Sequence, residues 1–314
     1  MPRKNVMFML DPPQPLRLEG ALAFAHARNW QVTIASRLLR PPAGWLGDGI
    51  LVTLRNDMRT TRFVRAALKK GIPVVDLTHH RPDFRVPRVT PDYADTGRTA
   101  VGHLTKVGCR SILYFSAEWT HVRQLEYEGI RKARPSVEKV ILSDAVPLRR
   151  LDDEARLHAV LAPVLRAKEK PLGVITYNDE EAVRVLRTCE KARLSVPDEV
   201  AIVGAGNDTL LCENLSIPIS SVIDDFRRNG FVAAELLDRI MNGERVAPSP
   251  LTIPNLGVAI RRSSDLTAAS HPLVRETLRL LAENPLQPPT VDQLAERLKI
   301  SRSTFDRLFR RELG

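Results

Sequence analysis

The chain has 314 residues, 43% apolar and 27% charged, which excludes a disordered polypeptide and leaves room for two or three folded domains. Its 47 Lys and Arg against 37 Asp and Glu give a net charge of +10, a surplus that suits nucleic acid, an anionic surface or an acidic ligand, and equally plain solvated charge. Cys109, Cys189 and Cys212 are scattered with no CxxC spacing, so neither a disulfide framework nor a zinc site is expected.

The N-terminus has two basic residues but only a short apolar run before Asp11-Pro12-Pro13, too little for a signal peptide, and nothing reaches the length of a membrane span. A cytoplasmic protein is expected. Val6–Leu10 reads as a buried strand and Leu16–Arg28 as a helix with Leu18, Leu22 and Ala25 on one face. Strands follow at Val32–Ile34, Ile50–Val52 and Val74–Leu77, with a helix over Met58–Lys69. The alternation continues with helix Thr96–Lys106, strand Ile112–Phe115, helix Arg123–Lys132, strand Lys139–Leu142 and helix Asp153–Ala167. Strand Gly173–Thr176, helix Glu180–Ala192 capped by Asp179, strand Val200–Val203, strand Ser221–Val222 and helix Phe226–Met241 complete it.

Short apolar runs alternating with helices predict parallel sheets covered on both faces, and about ten strands are too many for one such sheet. Two doubly wound lobes are expected. Ligands of such sheets sit beyond the carboxyl ends of the strands, which here carry Asp11, Arg55, Asp76, Asn178 and Gly206. Each of these serves equally well as a loop or capping residue.

Catalytic signatures are missing. The sequence has no GxSxG, GxxxxGK[ST] or HExxH pattern. Gly204-Ala205-Gly206 follows a strand, but Thr209 occupies the third glycine position of a dinucleotide fingerprint. His79 and His80 are adjacent and do not share a face, so no metal pair is expected. No enzyme activity, cofactor or metal is therefore anticipated.

Arg261 to Pro272 is polar and small and reads as a linker, and only helical patterns follow. The expected division is residues 1–262 as the two-lobed domain, 263–272 as linker and 273–314 as a helical segment. In that segment Val274, Leu278 and Leu281 share a face, and Asn284-Pro285 ends the helix. Thr290 and Gln293 form a capping-box pattern ahead of a short helix that buries Val291, Leu294, Ala295 and Leu298. Lys299-Ile300 turns, and Ser301 caps a helix burying Phe305, Leu308 and Phe309. This is the helix-turn-helix plan, with small Ala295 at the crossing.

The opposite face of the last helix is polar: Arg302, Ser303, Asp306, Arg307 and Arg310. Such a division suits a recognition helix in a major groove. Arg307 has the donors to read guanine, and Arg302, Arg310 and Arg311 suit phosphates, while Ser303 and Thr304 reach either. An ordinary solvated amphipathic helix has the same division.

The run Thr290-Val291-Asp292-Gln293-Leu294-Ala295, followed by Ser301-Arg302-Ser303-Thr304-Phe305-Asp306-Arg307-Leu308-Phe309, resembles the first helix-turn-helix of the AraC family. Trp45-Leu46-Gly47-Asp48-Gly49-Ile50, Val196-Pro197-Asp198-Glu199-Val200-Ala201-Ile202-Val203-Gly204 and Ile219-Ser220-Ser221-Val222 resemble LacI-type sensors of the type I periplasmic-binding-protein fold. The resemblance covers essentially the whole chain. It implies an effector-responsive regulator of carbohydrate genes, responding to a xylose-like sugar, binding a double-stranded operator and acting as a homodimer. AraC-type domains carry two helix-turn-helix units, so the resemblance makes residues 273–314 a partial domain. A small-molecule-binding protein with a non-functional tail is the alternative.

By resemblance, Asp92 matches a ligand-side Asp and Asp224 falls where ligand is often faced. Gly206 replaces an expected Asp, leaving Asn207 in that run, and Glu126 replaces an expected Arg, with Arg123 one turn away. Together with Asn178 these form the candidate effector site: Asp92, Arg123, Asn178, Asn207 and Asp224.

Overall fold

Two six-stranded sheets organise the chain, each in its own compact unit. The computed structural model describes residues 3–10, 14–35, 44–147, 150–265, 272–283 and 288–313. Asp11 and most of the anticipated linker lie outside the described residues.

The first unit comprises residues 1–99, 119–132 and 222–257. Its elements begin with β1 (Asn5–Met9), α1 (Pro15–Ala27), β2 (Gln31–Ile34), β3 (Gly49–Val52), α2 (Met58–Lys69), β4 (Val74–Asp76) and β5 (Arg88–Pro91). The start of α3 (Tyr93–Lys106), α4 (His121–Ala133), α8 (Phe226–Met241) and β11 (Pro250–Ile253) complete it. Its sheet order is β11-β5-β4-β3-β1-β2, with adjacent strands parallel. Strand periodicity distributes β1 between two cores. Val6, Phe8 and Leu10 join Phe24 and Ala25 of α1 and Leu237 of α8, while Met7 and Met9 join Val64 and Ala67 of α2. Both faces are thus covered, which is why the strand sequences read as continuous apolar runs.

Helices α1 and α8 meet backbone to backbone. A Cβ added at Gly20 would lie 1.9 Å from the Arg227 carbonyl oxygen, and one at Gly230 would lie 1.9 Å from that of Arg17. The buried Arg17 side chain donates to Asn229 Oδ1 at 2.7 Å, and Asn229 Nδ2 donates to the Val89 carbonyl at 2.7 Å.

The second unit comprises residues 100–118, 133–221 and 258–314. It holds β6 (Ser111–Ser116), β7 (Glu138–Ile141), α5 (Glu154–Ala167), β8 (Leu172–Thr176), α6 (Asp179–Ala192), β9 (Val200–Ala205) and α7 (Thr209–Glu213). β10 (Ser220–Val222), β12 (Val258–Ala259), α9 (Pro272–Glu283), α10 (Val291–Arg297) and α11 (Arg302–Leu313) follow. The sheet order is β12-β10-β9-β8-β6-β7. Leu113, Phe115, Val174 and Ile202 pack against Leu161 of α5 and Val185 and Leu186 of α6. The three cysteines are buried, and burial pushes each thiol up to about 12, so they act as small apolar fillers.

Several sequence expectations are corrected. The cap of α6 is Asn178, whose Oδ1 accepts from Glu181 N at 2.8 Å; Asp179 is the first helical residue and is buried. Helix α3 starts at Tyr93 rather than Thr96, because Asp92 Oδ1 accepts from Asp95 N at 2.9 Å. Leu142 opens a short 3-10 turn instead of ending β7. The polar stretch from Arg261 is no free linker at its start: Arg262–Ser264 forms a 3-10 turn in which Ser263 and Ser264 are fully buried. Ser263 Oγ accepts from Ser220 N at 2.9 Å and donates to the Ile202 carbonyl at 2.7 Å.

Candidate functional site

At the carboxyl end of the first unit's sheet, Asp76 is fully buried. It accepts from Leu54 N, Thr78 N and Thr78 Oγ1 at 3.1, 3.0 and 2.9 Å, and from Arg88 Nε at 3.2 Å. Burial pushes its carboxyl up to about 6, and the donors from Leu54, Thr78 and Arg88 oppose that rise. Arg88 also donates to the Arg81 and Phe84 carbonyls. Asp76 therefore ties the ends of β3, β4 and β5 together, the structural role among the two weighed for it.

Asp92 and Asp224 are drawn together through Thr96. Its hydroxyl lies 3.2 Å from the Asp92 carbonyl oxygen and 3.0 Å from Asp224 Oδ1. Arg123 is buried in the first turn of α4, and buried Glu126 lies one turn on. α4 lies hard against α3: a Cβ at Gly97 would meet the Glu126 carbonyl oxygen at 2.4 Å, and one at Gly129 the Ala94 carbonyl oxygen at 2.1 Å.

Beside Arg123 lie three imidazoles. His79 and His121 meet edge to face with ring centroids 4.5 Å apart. Burial, then Arg88 and His121, lowers His79 to about 4. Burial, then Arg55, Arg123, Arg17 and His79, lowers His80 to about 3. Both rings are neutral at pH 7 and sit in a positive field. The sequence showed the His79-His80 pair, but only the fold brings His121, Arg55, Arg17 and Arg123 to it.

In the second unit the candidate asparagines carry structural hydrogen bonds. Asn178 caps α6 as described. Asn207 has φ of 53°, its N–H donates to Ser221 Oγ at 3.0 Å, and its Oδ1 accepts from Arg261 Nη2 at 2.8 Å. Arg261 also donates to the Ile219 carbonyl at 2.9 Å and to Glu213 Oε1 at 2.9 Å. Two buried carboxylates escaped the sequence reading. Asp179 Oδ2 accepts from Asp208 N at 2.8 Å, and burial pushes its carboxyl up to about 6. Glu181 Oε1 accepts from Ala117 N at 3.0 Å. Their only sequence signal was the acidic run at the start of α6, the pattern of any favourable helix N-terminus.

The C-terminal helices α9, α10 and α11 pack on one another, with a short turn between α10 and α11. Thr290 N–H donates to Gln293 Oε1 at 2.9 Å and Thr290 Oγ1 accepts from Gln293 N at 3.3 Å, a complete capping box. Lys299 turns the chain with φ of 55°, and Ile300 N donates to the Ala295 carbonyl at 3.0 Å. Ser301 Oγ accepts from Thr304 N at 3.2 Å and caps α11. Leu280, Leu294, Ala295 and Phe305 form the core, and the Phe305 and Phe309 rings stack at 4.2 Å. Val291, expected inside, is 37% exposed and is not part of that core. Arg302, Ser303, Asp306, Arg307 and Arg310 are exposed and Thr304 is half-buried. Arg302 Nη1 engages both carboxylate oxygens of Asp292, at 2.9 and 3.0 Å. The Arg311 side chain lies outside the described residues.

A family model described as the periplasmic binding protein-like domain matches residues 101–264, more than half of the chain. The chain belongs to the periplasmic binding protein-like family. The xylose operon regulatory protein of Haemophilus influenzae is 25% identical over 277 residues, covering 85% of this chain and 70% of that protein. The xylose operon regulatory protein of Escherichia coli K12 is 24% identical over 284 residues, covering 86% and 70%. The solved structure of the xylose-binding transcription activator XylR superposes with a TM-score of 0.72 at 20% identity, covering 100% of this chain and 83% of that one. That last likeness establishes a shared fold.

Two doubly wound parallel sheets are the architecture of the periplasmic binding protein-like fold, as the alternating pattern predicted. Within it, Asp92, Arg123 and Asp224 belong to the first unit and Asn178 and Asn207 to the second. Among the described residues there is no cluster of His, Cys, Asp and Glu fit to hold a metal, and no helix is long and apolar enough to cross a membrane.

Proposed function

We propose that this chain is an effector-responsive transcription regulator of carbohydrate metabolism. Its α/β units take up a sugar-like effector, and its C-terminal helix-turn-helix reads an operator. The observation that carries this reading is α11, whose apolar face is buried under α9 and α10 while Arg302, Ser303, Asp306, Arg307 and Arg310 are presented outward. That face fits a major groove. The two xylose operon regulatory proteins support the physiological assignment.

Roles within α11 divide by environment. Arg307 has no ion pair among the described residues and is the base reader, bidentate to guanine. Arg302 is held by Asp292 and positions the helix on phosphate, with Arg310 and Arg311. Ser303 and Asp306 flank the same face, whereas Thr304 and Thr290 hold the helix starts. Two copies of the chain bind paired half-sites. Effector binding shifts the population between two states that differ in DNA affinity, and no catalytic step is involved.

Selection from a random DNA pool, at one fixed salt concentration, tests the reading. The wild-type chain enriches a defined motif, and Arg307→Ala loses preference at one position at a cost of about 1–3 kcal/mol. Enrichment of no motif would overturn operator recognition and leave a small-molecule-binding protein.

A further inference from the structure

We propose that the outward face of α2 is a second DNA contact, one that holds the phosphate backbone of a duplex without reading its sequence. The proposal rests on the DNA-binding reading above and adds to it a surface of the first unit.

Between Asp57 and Asp76 the sequence has five cations, Arg59, Arg62, Arg65, Lys69 and Lys70, and no carboxylate. They supply half of the chain's net charge of +10. The spacing i, i+3, i+6, i+10 puts Arg59, Arg62, Arg65 and Lys69 on one side of α2. The opposite side holds Thr61, Val64 and Ala67, which are buried, and Val64 and Ala67 pack with Met7, Met9 and Ile50. All five cations are exposed.

None of the five has an ion pair among the described residues. By contrast, in the same unit Arg98 pairs with Asp95 at 2.9 Å, Arg227 with Glu19 and Arg239 with Glu244. Asp57 caps α2, accepting from Thr60 N at 2.7 Å. The loop after β4 brings one carboxylate, Asp83, which Arg81 grips at 2.7 and 2.6 Å. That loop also brings exposed Arg85, and it is tied to α2 through Phe84, whose ring centroid lies 5.4 Å from the Arg65 guanidinium and 5.0 Å from that of Arg81. Like charges one turn apart weaken a helix, a cost that a bound polyanion removes. From Arg59 to Lys69 the helix rises about 15 Å, the axial span of about four phosphates along one DNA strand. A lipid surface matches less well. Amphipathic helices bind membranes by inserting their apolar side, and that side of α2 is already buried in the core, with Met58 and Leu68 left outside it.

Binding of the full chain to a fluorescent mixed-sequence duplex, followed across a salt series, tests this. The triple variant Arg59→Gln, Arg62→Gln, Lys69→Gln spares both the core and the contact of Arg65 with Phe84. It should weaken duplex binding by about tenfold or more at the lowest salt, and flatten the slope of log K against log salt by about 2–3, at about 0.9 per lost phosphate contact. Preference for the motif enriched from the random pool should be unchanged, because backbone contacts carry no sequence. The control variant Arg98→Gln, Arg227→Gln, Arg239→Gln removes the same charge from ion-paired positions and should keep the slope. An α2 variant with the wild-type slope, or a control that flattens it equally, overturns the proposal and leaves operator recognition intact. Binding of the wild-type chain to phosphatidylserine vesicles or poly-L-glutamate that is tighter than to the duplex, and lost in the α2 variant, gives the face to another partner and overturns it too. Duplex binding that the α2 variant weakens, with no motif enriched by the wild-type chain, sinks the operator reading alone. Absence of duplex binding at every salt concentration overturns both.

Discussion

Adding a single methyl group where α1 crosses α8 should cost far more than its size. In Gly20→Ala the new Cβ would sit 1.9 Å from the Arg227 carbonyl oxygen, and in Gly230→Ala it would sit 1.9 Å from the Arg17 carbonyl oxygen. Ordinary contact begins at 3.4 Å, so the helices must part by about 1.5 Å. The obstructing atom is backbone in each case and no rotamer change relieves it. Parting the helices loosens Phe24, Ala21, Ala233 and Leu237 in the shared core. Overpacking costs about 1–3 kcal/mol and occasionally more. Alanine recovers about 1 kcal/mol of helix propensity over glycine. The expected net loss is about 2 kcal/mol in either variant. The double variant should lose less than the sum, because one separation accommodates both methyls. Trp30, Trp45 and Trp119 are the chain's three tryptophans and all lie in the first unit, so fluorescence-detected urea unfolding reports on that unit alone. Single losses below about 0.5 kcal/mol, or strict additivity in the double variant, would refute the close-crossing argument.

Other consequences follow from particular side chains. Ser263→Ala leaves Ser220 N–H and the Ile202 carbonyl without their buried partner, and should lower stability by about 2–3 kcal/mol in denaturant melts, with Ser263→Thr closer to wild type. Thr290→Ala removes the capping box and should cost about 1 kcal/mol, seen as faster amide exchange across α10 and no change in the sheets; Thr290→Ser should restore protection. His80 is held at about 3 when folded against an ordinary value of 6.5, so the unfolded chain binds its proton first as pH falls. The stability difference between wild type and His80→Gln should therefore fall by about 2 kcal/mol between pH 6.5 and 5, while the total slope also carries His79 in the same sense and Asp76 and Asp179, raised to about 6, in the opposite sense.

Apolar periodicity made most of the scaffold legible, because a strand covered on both faces leaves a run such as Val6–Leu10 that few other structures need. β5 was hidden for the opposite reason. Its sequence Arg88-Val89-Thr90-Pro91 carries a charge and a proline, and reads as a strand only once Arg88 is seen paired with Asp76 in register across β4. Asp179 was misread because Asp and Asn cap equally well, and only the buried surroundings, closed by Gly204, decide which of two neighbours turns inward. The succession α10, turn, α11 was legible down to the capping box, since its signals are local. The surroundings of His79 and His80 were not. Arg55, His80 and Arg123 converge from segments that no spacing rule connects, and a two-residue His79-His80 step gives no hint of what surrounds it.

The first unit is discontinuous, and this orders its formation in time. β5 acquires β11 as its outer neighbour, and α1 acquires α8, only when residues 222–257 have been made. At translation rates of about 5–20 residues per second, the segment between Thr99 and Val222 keeps the nascent amino-terminal portion waiting for on the order of ten seconds. During that interval the β5 edge is an open template for strand pairing and the α1 face toward α8 is uncovered. Ribosome-bound chains stalled before residue 222 should therefore be protease-sensitive and dependent on chaperones, whereas chains released after residue 257 should not.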